Sequence, residues 1–457
     1  VKDDLPGEPY SKSRRKKAAA NDVALRLLEQ TRLSGGHEAF LQDGYGLVYR
    51  YNGAFWQEIR EPSLLRLAYE FDDVKHTSSR RRSEIISALK VFCHRAGHKW
   101  SRADDHEVPC KNGVVNVMTG QIRPHRPEDY FDSIIPHDFR PDANSPTLER
   151  ALAVWFDDES ERPDALAMFA GYLCLGHAKF KQALYCHGLK DTGKSQVGML
   201  LRELVGADAT CSLAIEEMDD PVKRSALKHM RLNLLTELPT DALIKDGPFK
   251  TMVSTGEPIF VNPKYEMPQT IVPYAKHVFI SNDLPRIKDR TEATLERLLI
   301  LHFDKVLPAV DQDRDLADKL RLEMGGVLAF AIRGARELLE RKGQWPELHS
   351  AQALRKELRD DSNPVALFVQ HFTEESAGAA IAGSDLAERF NRSIYAGRKM
   401  DVRQVGKLSR SAGYDWGDCW LGGEKRITAK GLRNRAWRTD SDLAAAAREA
   451  PWHVAQP

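Results

Sequence analysis

The stretch Tyr185-Cys-His-Gly-Leu-Lys-Asp-Thr-Gly-Lys-Ser195 decides how the chain is read, because Gly188, Gly193, Lys194 and Ser195 fill the G-x-x-x-x-G-K-[ST] pattern of a phosphate-binding loop. Ala183-Leu-Tyr-Cys186 in front of it predicts a short buried strand, and Val197 to Leu204 behind it carries apolar residues at helical spacing. The glycines therefore stand where a strand must turn into a helix. In such a turn backbone N–H groups converge on phosphate oxygens at the helix N-terminus. Lys194 is expected to reach the β- and γ-phosphates, and the Ser195 hydroxyl to ligate Mg²⁺. Thr192 and Gln196 complete the expected cradle, with ATP and Mg²⁺ as its ligands.

Outward from the loop, residues 180 to 305 alternate strand and helix signals, the pattern of an α/β nucleotide-binding core. Arg231-Leu-Asn-Leu-Leu-Thr-Glu237 is an apolar run ending in a carboxylate, and Lys276-His-Val-Phe-Ile-Ser-Asn282 is one ending in an amide. Leu298-Leu-Ile-Leu-His-Phe303 is a third, directly preceded by Arg297. Nucleotide hydrolysis needs a carboxylate that polarises water and helps hold the metal, a group that senses the γ-phosphate, and positive charge for the transition state. Strand ends are where α/β sheets place ligands, so Glu237 takes the first role and Asn282 the second. Arg297 takes the third, held before a buried strand at a subunit edge to reach a neighbour's nucleotide.

The flanks read as separate domains. Residues 1–105 form an α+β accessory domain, with a β-hairpin over Gly46 to Ile59 turning at Asn52-Gly53 and a helix over Ser83 to Cys93. Residues 106–178 hold short strands with turns at Asn112-Gly113 and Thr119-Gly120, a Pro-rich connector, and a helical stretch over Leu148 to Leu175. The stripe of that stretch is Leu152, Trp155, Phe156, Leu166, Phe169 and Leu173. Residues 179–345 hold the core and a helical lid over Asp315 to Arg341, interrupted at Gly325-Gly326. Residues 346–457 predict a winged-helix-like domain. There Ser384 caps one helix and Asp401 a second, and wing strands start at Tyr414 and run over Trp420 to Ile427. On the second helix Arg403, Lys407 and Arg410 share one face and could lie along a phosphate backbone or simply be solvated.

Of 457 residues 42% are hydrophobic and 29% charged, and no apolar run is long enough to span a bilayer, so the expectation is a soluble cytoplasmic protein. Net charge is only +1, so positive charge for nucleic acid must be local. Ser11-Lys-Ser-Arg-Arg-Lys-Lys17 is one such concentration. Six cysteines without a C-x-x-C pair suit a reducing compartment. Cys93, His94, His98 and Cys110 offer metal-ligand residue types, but adjacent Cys93-His94 is poor ligand geometry.

Taken in order, the loop, Arg231 to Glu237, Ser254-Thr-Gly-Glu-Pro258 with Lys264 beyond it, Ser281-Asn-Asp-Leu-Pro-Arg-Ile-Lys-Asp289 and Leu295-Glu-Arg297 resemble superfamily-three helicases. Within them the chain is similar to the phage and plasmid primase-helicase family, related to the poxvirus primase-helicase. Lys111-Asn-Gly-Val-Val-Asn-Val-Met-Thr-Gly120, continuing through Asp129-Tyr-Phe131, resembles the domain that precedes the helicase there. The resemblance implies an AAA+-like hexameric ring translocating 3′ to 5′ on single-stranded DNA, active on forked DNA, with a separate primase or initiator as partner. It also implies a channel hairpin over Pro258 to Pro268, where Lys264 contacts the backbone and Tyr265 stacks on a base.

The chain departs from that family in three places. The acidic strand ends in one carboxylate, Glu296-Arg297 stands where relatives often have two arginines, and Lys190-Asp191 replaces smaller loop residues. No zinc-knuckle cysteines and no paired-aspartate polymerase site stand in residues 1 to 105, which argues against primase activity in this chain. Two other readings of the residues stay open: a phosphotransferase using the same loop on a small acceptor, and a non-catalytic origin-binding initiator.

Overall fold

A computed structural model describes residues 10–33, 36–71, 78–95, 97–98, 100, 106–156, 161–238, 243–254, 257–287, 292–308, 310, 312–393, 396, 399–420 and 428–438. The chain divides into two compact units. The first comprises Val1–Pro239, Lys250–Asp283 and Leu299–Leu348; the second comprises Thr240–Phe249, Leu284–Leu298 and His349–Pro457.

The first unit opens with helix α1 (Tyr10–Gln30), which includes the backbone of the predicted cationic arm. Strands β1 (Phe40–Gln42), β2 (Val48–Tyr51) and β3 (Trp56–Glu58) follow as an antiparallel sheet in that order. At the Asn52-Gly53 turn the Asn52 side chain accepts from the N–H groups of Ala54 and Phe55, which is how asparagine locks a tight turn. Helices α2 (Glu61–Phe71) and α3 (Ser79–Phe92) pack on α1 through Ala24, Leu27, Leu64, Ile86 and Leu89. Ser78 caps α3, so that helix starts ahead of the expected Ser83. Strands β4 (Glu107–Cys110), β5 (Gly113–Asn116) and β6 (Ile122–Arg123) then form an antiparallel meander.

The predicted helical stretch before the loop is divided into α4 (Pro146–Trp155), capped by Ser145, and α5 (Glu161–Cys174). All six stripe residues are buried. Strand β7 (Ala183–Gly188), helix α6 (Lys194–Val205), and strands β8 (Thr210–Cys211) and β9 (Leu232–Leu235) begin the core. After β10 (Leu243–Ile244) and α7 (Asp246–Val253), strands β11 (Ile259–Val261) and β12 (Gln269–Ile271) make an antiparallel hairpin. The chain continues through β13 (Lys276–Ser281), β14 (Arg286–Ile287), α8 (Glu292–Leu295) and β15 (Leu298–Phe303). The central sheet has the order β15-β7-β13-β9-β8, with β7, β13, β9 and β8 paired in parallel.

At the start of β9 and β13 two cations are buried, Arg231 and Lys276, each 2% exposed. Both donate to the last carbonyls of α5, Arg231 to Cys174 at 2.8 Å and Lys276 to Leu175 at 2.6 Å. A helix C-terminus carries partial negative charge and unsatisfied carbonyls, which favours cations there. The Lys276 ammonium also lies 4.9 Å from the Tyr172 ring centre.

Helices α9 (Leu316–Leu322) and α10 (Met324–Glu340) meet at Glu323, so the expected break at Gly325-Gly326 is misplaced. Glu323 is held at the α4 N-terminus, accepting from Ser145 Oγ at 2.6 Å, Thr147 Oγ1 at 2.7 Å and the Thr147 N–H at 3.0 Å. Gly326 has a packing role instead: a Cβ on it would lie 2.2 Å from the Asn144 carbonyl oxygen. Further along, Gly334 and Gly171 bring α10 and α5 into backbone contact, where a Cβ would come within 2.0 Å of Ala167 O and 2.2 Å of Ala335 N respectively.

In the second unit β10 and β14 pair in parallel, and α11 (His349–Ser362) contacts α8 and β14. Then come α12 (Pro364–Phe372), β16 (Thr373–Ala382), α13 (Gly383–Arg392), α14 (Val402–Ser411), β17 (Trp416–Trp420) and β18 (Thr428–Trp437), with sheet order β16-β18-β17. Phe368, Leu386, Phe390, Val405 and Leu432 form their core. Asp401 caps α14 in a reciprocal box with Gln404, as expected. Ser384 does not cap α13; Ala382 holds that position and the helix starts at Gly383. Of the second expected wing strand, Trp420 to Ile427, Trp420 is the last residue of β17; β18 pairs with both β16 and β17, and its Gly431 approaches β16 so closely that a Cβ would lie 2.1 Å from the Ile381 carbonyl oxygen. Residues 421–427 lie outside the described residues. Among the described residues no helix is long and apolar enough to cross a membrane.

Candidate active site

The strand-to-helix turn predicted from the sequence is present between β7 and α6. Gly188 ends β7 at φ +152°, and a Cβ there would lie 2.1 Å from the Phe303 carbonyl oxygen of β15. Gly193 precedes α6 at φ +97°, with a would-be Cβ 2.4 Å from the Trp155 indole. Both positions exclude any side chain, for conformational and for steric reasons. Asp191 occupies the left-handed region at φ +62°, where aspartate is tolerated, and its carbonyl accepts from the Leu307 N–H at 2.8 Å.

Lys194 is the first residue of α6 and only 6% exposed. Its ammonium donates to the Gly188 carbonyl at 2.6 Å, to the Leu189 carbonyl and to Thr192 Oγ1 at 3.3 Å. Burial pushes its pKa down, with Cys186 and Asp191 opposing. Thr192 is buried and donates to the Leu189 carbonyl, closing the loop on itself. Ser195 is exposed on the first turn, and the half-buried Gln196 has an Oε1 with no hydrogen-bond partner in the structure. The glycines at positive φ, the converging first turn and a lysine held on exchangeable carbonyls fit a triphosphate with its divalent cation.

Because β13 lies between β7 and β9 and all three are parallel, their C-terminal ends share one edge of the sheet. Asn282 directly follows β13 and is exposed. The turn that carries it is held by the Tyr185 hydroxyl donating to the Asp283 carbonyl at 2.6 Å. β9 ends at Leu235, so Glu237 stands two residues beyond the strand and is exposed. Arg297 belongs to the second unit, half-buried, with Nη1 donating to the Ala293 carbonyl at 2.6 Å.

Lys264 and Tyr265 sit at the tip of the β11–β12 hairpin, both exposed, Tyr265 at φ +66°. Phe260 and Met267 of the same hairpin are also exposed and were not singled out from the sequence. Arg403, Lys407 and Arg410 are exposed on α14, while Val405 of the same helix is buried. No cluster of three or more metal-ligating side chains occurs among the described residues, so Cys93, His94, His98 and Cys110 do not assemble as one.

Sequence reasoning missed the residues under the loop. His187 and His302 stack with ring centres 5.1 Å apart and Nδ1 atoms 3.1 Å apart. Burial pushes His187 down to about 4, and His302 and Lys194 push the same way. Arg162, 4% exposed, donates to the His302 carbonyl at 2.8 Å and to Asp304 at 3.1 Å. None of these carries a local signal, since each acts through a partner more than a hundred residues away in the chain.

Two stretches of the chain match known family models. Residues 26–157 match the model of the family described as D5 N terminal like. This region is D5-like. Residues 186–297 match DUF5906, a family of unknown function. Among solved structures, the apo structure of the NrS-1 C terminal region is similar with TM-score 0.53 at 11% identity, over 90% of this chain and 98% of that one. Its A form is similar with TM-score 0.51 at 11% identity, over 86% and 95%. At that identity the likeness concerns the fold. The resemblance read from the sequence stands in its coarser part: a D5-like region followed by an α/β domain with a five-stranded sheet.

Proposed function

We propose that the chain is an ATP-hydrolysing DNA helicase in the replication of a phage, plasmid or other mobile element, acting as a ring on single-stranded DNA. The observation that supports it most is the shared sheet edge. There the Gly188–Ser195 loop, Asn282 and Glu237 follow neighbouring parallel strands, and an exposed hairpin bearing Lys264 and Tyr265 is inserted between the last two. The D5-like match over residues 26–157 supports a replication primase-helicase-like role.

The loop N–H groups and Lys194 bind the triphosphate, the ammonium exchanging its present carbonyl partners for phosphate oxygens. Ser195 and Glu237 are the residues that would hold a divalent cation bound with the nucleotide, which would neutralise charge on the leaving phosphates. Glu237 accepts the proton of the attacking water, and Asn282 orients that water against the γ-phosphate. Arg297 supplies positive charge to the nucleotide of a neighbouring copy in an AAA+-like hexamer. Lys264 and Tyr265 grip the strand through phosphate and base. In the second unit, the exposed face of α14, a helix that follows α13 and precedes β17, supports a DNA contact through Arg403, Lys407 and Arg410.

ATPase rate with and without single-stranded DNA, measured beside mass by light scattering, tests this reading. The expected result is DNA-stimulated turnover by a ring-sized species. Turnover indifferent to DNA by a single copy would favour a small-acceptor phosphotransferase instead.

A further inference from the structure

The β11–β12 hairpin is a two-stranded sheet, so each strand leaves one edge unpaired. At the cross-strand pair Phe260 and Thr270 both free edges are occupied by side chains from elsewhere in the same unit. On the β12 side the Tyr45 hydroxyl accepts from the Thr270 N–H at 3.2 Å and donates to its carbonyl at 3.3 Å. On the β11 side Arg224 Nε donates to the Phe260 carbonyl at 2.6 Å. One turn further toward the tip, the Lys228 ammonium lies between Glu58 at 3.6 Å and Glu266 at 3.9 Å. Tyr45 and Glu58 belong to the D5-like region; Glu266 belongs to the hairpin.

Packing alone does not hold this hairpin. Ile259, Val261 and Gln269 are buried at its root, whereas Asn262, Lys264, Tyr265 and Met267 are exposed. Beneath the tip a cavity of about 970 Å³ opens, lined among others by Trp56, Glu58, Lys228, Pro263 and Glu266. With a cleft on one side and solvent on the other, the direction in which the tip points is set by the edge clamps, by the Asn262 N–H donating to the Pro221 carbonyl at 2.8 Å, by Gln269 Nε2 donating to Glu266 at 3.0 Å, and by the carboxylate–ammonium–carboxylate ion pairs. An unpaired strand edge readily takes such partners because its N–H and C=O groups are obligatory hydrogen-bonding groups.

We propose that Tyr45 and Glu58 are positioning residues that aim the hairpin, so that the D5-like region sets where Lys264 and Tyr265 meet single-stranded DNA. The DNA part of this inference rests on the function proposed above; the bracing part does not. Full-length Tyr45→Phe and Glu58→Gln proteins, and their combination, are compared with the unaltered chain in two measurements. The first is the rate of trypsin cleavage after Lys264, read by mass spectrometry. The second is the affinity for fluorescent oligothymidylate, read by anisotropy.

Tyr45→Phe is expected to speed cleavage after Lys264 and to weaken oligothymidylate binding by about three- to tenfold each, the scale of one or two lost hydrogen bonds, and Glu58→Gln, which removes an ion pair at 3.6 Å, by about threefold. In a Lys264→Ala, Tyr265→Ala background the same substitutions should weaken binding no further, because a mis-aimed tip has nothing left to lose. Unchanged cleavage after Lys264 would overturn the brace. So would an undiminished further loss of affinity in that background, which is the signature of general structural damage. Faster cleavage in a protein that binds no oligothymidylate at all would support the brace and sink the helicase reading.

Discussion

Replacing Glu323 by glutamine keeps its shape and removes its charge at the junction of α4, α9 and α10. The carboxylate takes three hydrogen bonds at 2.6–3.0 Å from Ser145 and Thr147, two from hydroxyls and one from an N–H at a helix N-terminus. Hydrogen bonds to an ionised acceptor contribute about 1.5–3 kcal/mol each before coupling. Glutamine retains one accepting oxygen and turns an NH₂ toward donors, and the site is half-exposed, so the net loss is discounted to about 1.4–2.8 kcal/mol. That corresponds to about tenfold to hundredfold faster amide exchange over α4, which hydrogen-exchange mass spectrometry reads peptide by peptide.

The pH dependence carries a second check. Burial pushes the Glu323 carboxyl up, but its hydrogen bonds from Ser145 and Thr147 outweigh that, leaving it below its ordinary value of 4.5. A depressed carboxylate stabilises the fold fully above 4.5 and loses that contribution as pH falls through the lower folded value. The stability gap between wild type and Glu323→Gln, from urea unfolding, should therefore be widest at neutral pH and close on acidification. Unaltered exchange over residues 146–156, or a gap that widens in acid, would refute the reasoning.

Four further outcomes are expected. Lys194→Ala should abolish hydrolysis while far-UV circular dichroism stays unchanged, since the ammonium now bonds only loop carbonyls and Thr192. Arg297→Ala should lower ATP turnover by about 10³ to 10⁵ if its charge is supplied to a neighbouring copy, and wild-type turnover would rule out that role. Lys264→Ala should lose DNA-stimulated unwinding with basal ATPase retained, whereas equal loss of both would mark the residue as structural. Gly171→Val should destabilise by more than the usual 1–3 kcal/mol of overpacking, read by thermal melting, because its Cβ would sit about 2 Å from α10 backbone that cannot give way.

Much of the candidate site was legible because its parts are contiguous in the chain. The 185–195 stretch carries its strand, turn and helix within eleven residues, and the apolar runs ending before Asn282 and Glu237 announce themselves by composition. The Asn52-Gly53 turn and the Asp401 cap are local in the same sense, each satisfied by bonds within three residues. Helix starts at Ser384 and Ser83 were misread because a serine marks a cap only where the helix begins: α3 starts earlier, capped by Ser78, and α13 starts at Gly383 with no side-chain cap.

The amino-acid sequence by itself determined the α/β character, the strand-to-helix turn at Gly188 and Gly193, and the exposed basic face of α14, since each follows from residue type at fixed short spacing. Tertiary structure alone decided that Gly325-Gly326 is a contact rather than a break, that Arg231 and Lys276 are buried on the end of α5, and that Tyr45 reaches β12. Those outcomes join residues up to 225 positions apart, and the free energy that selects them arises only when distant backbone groups are brought out of water against one another, which no local pattern encodes.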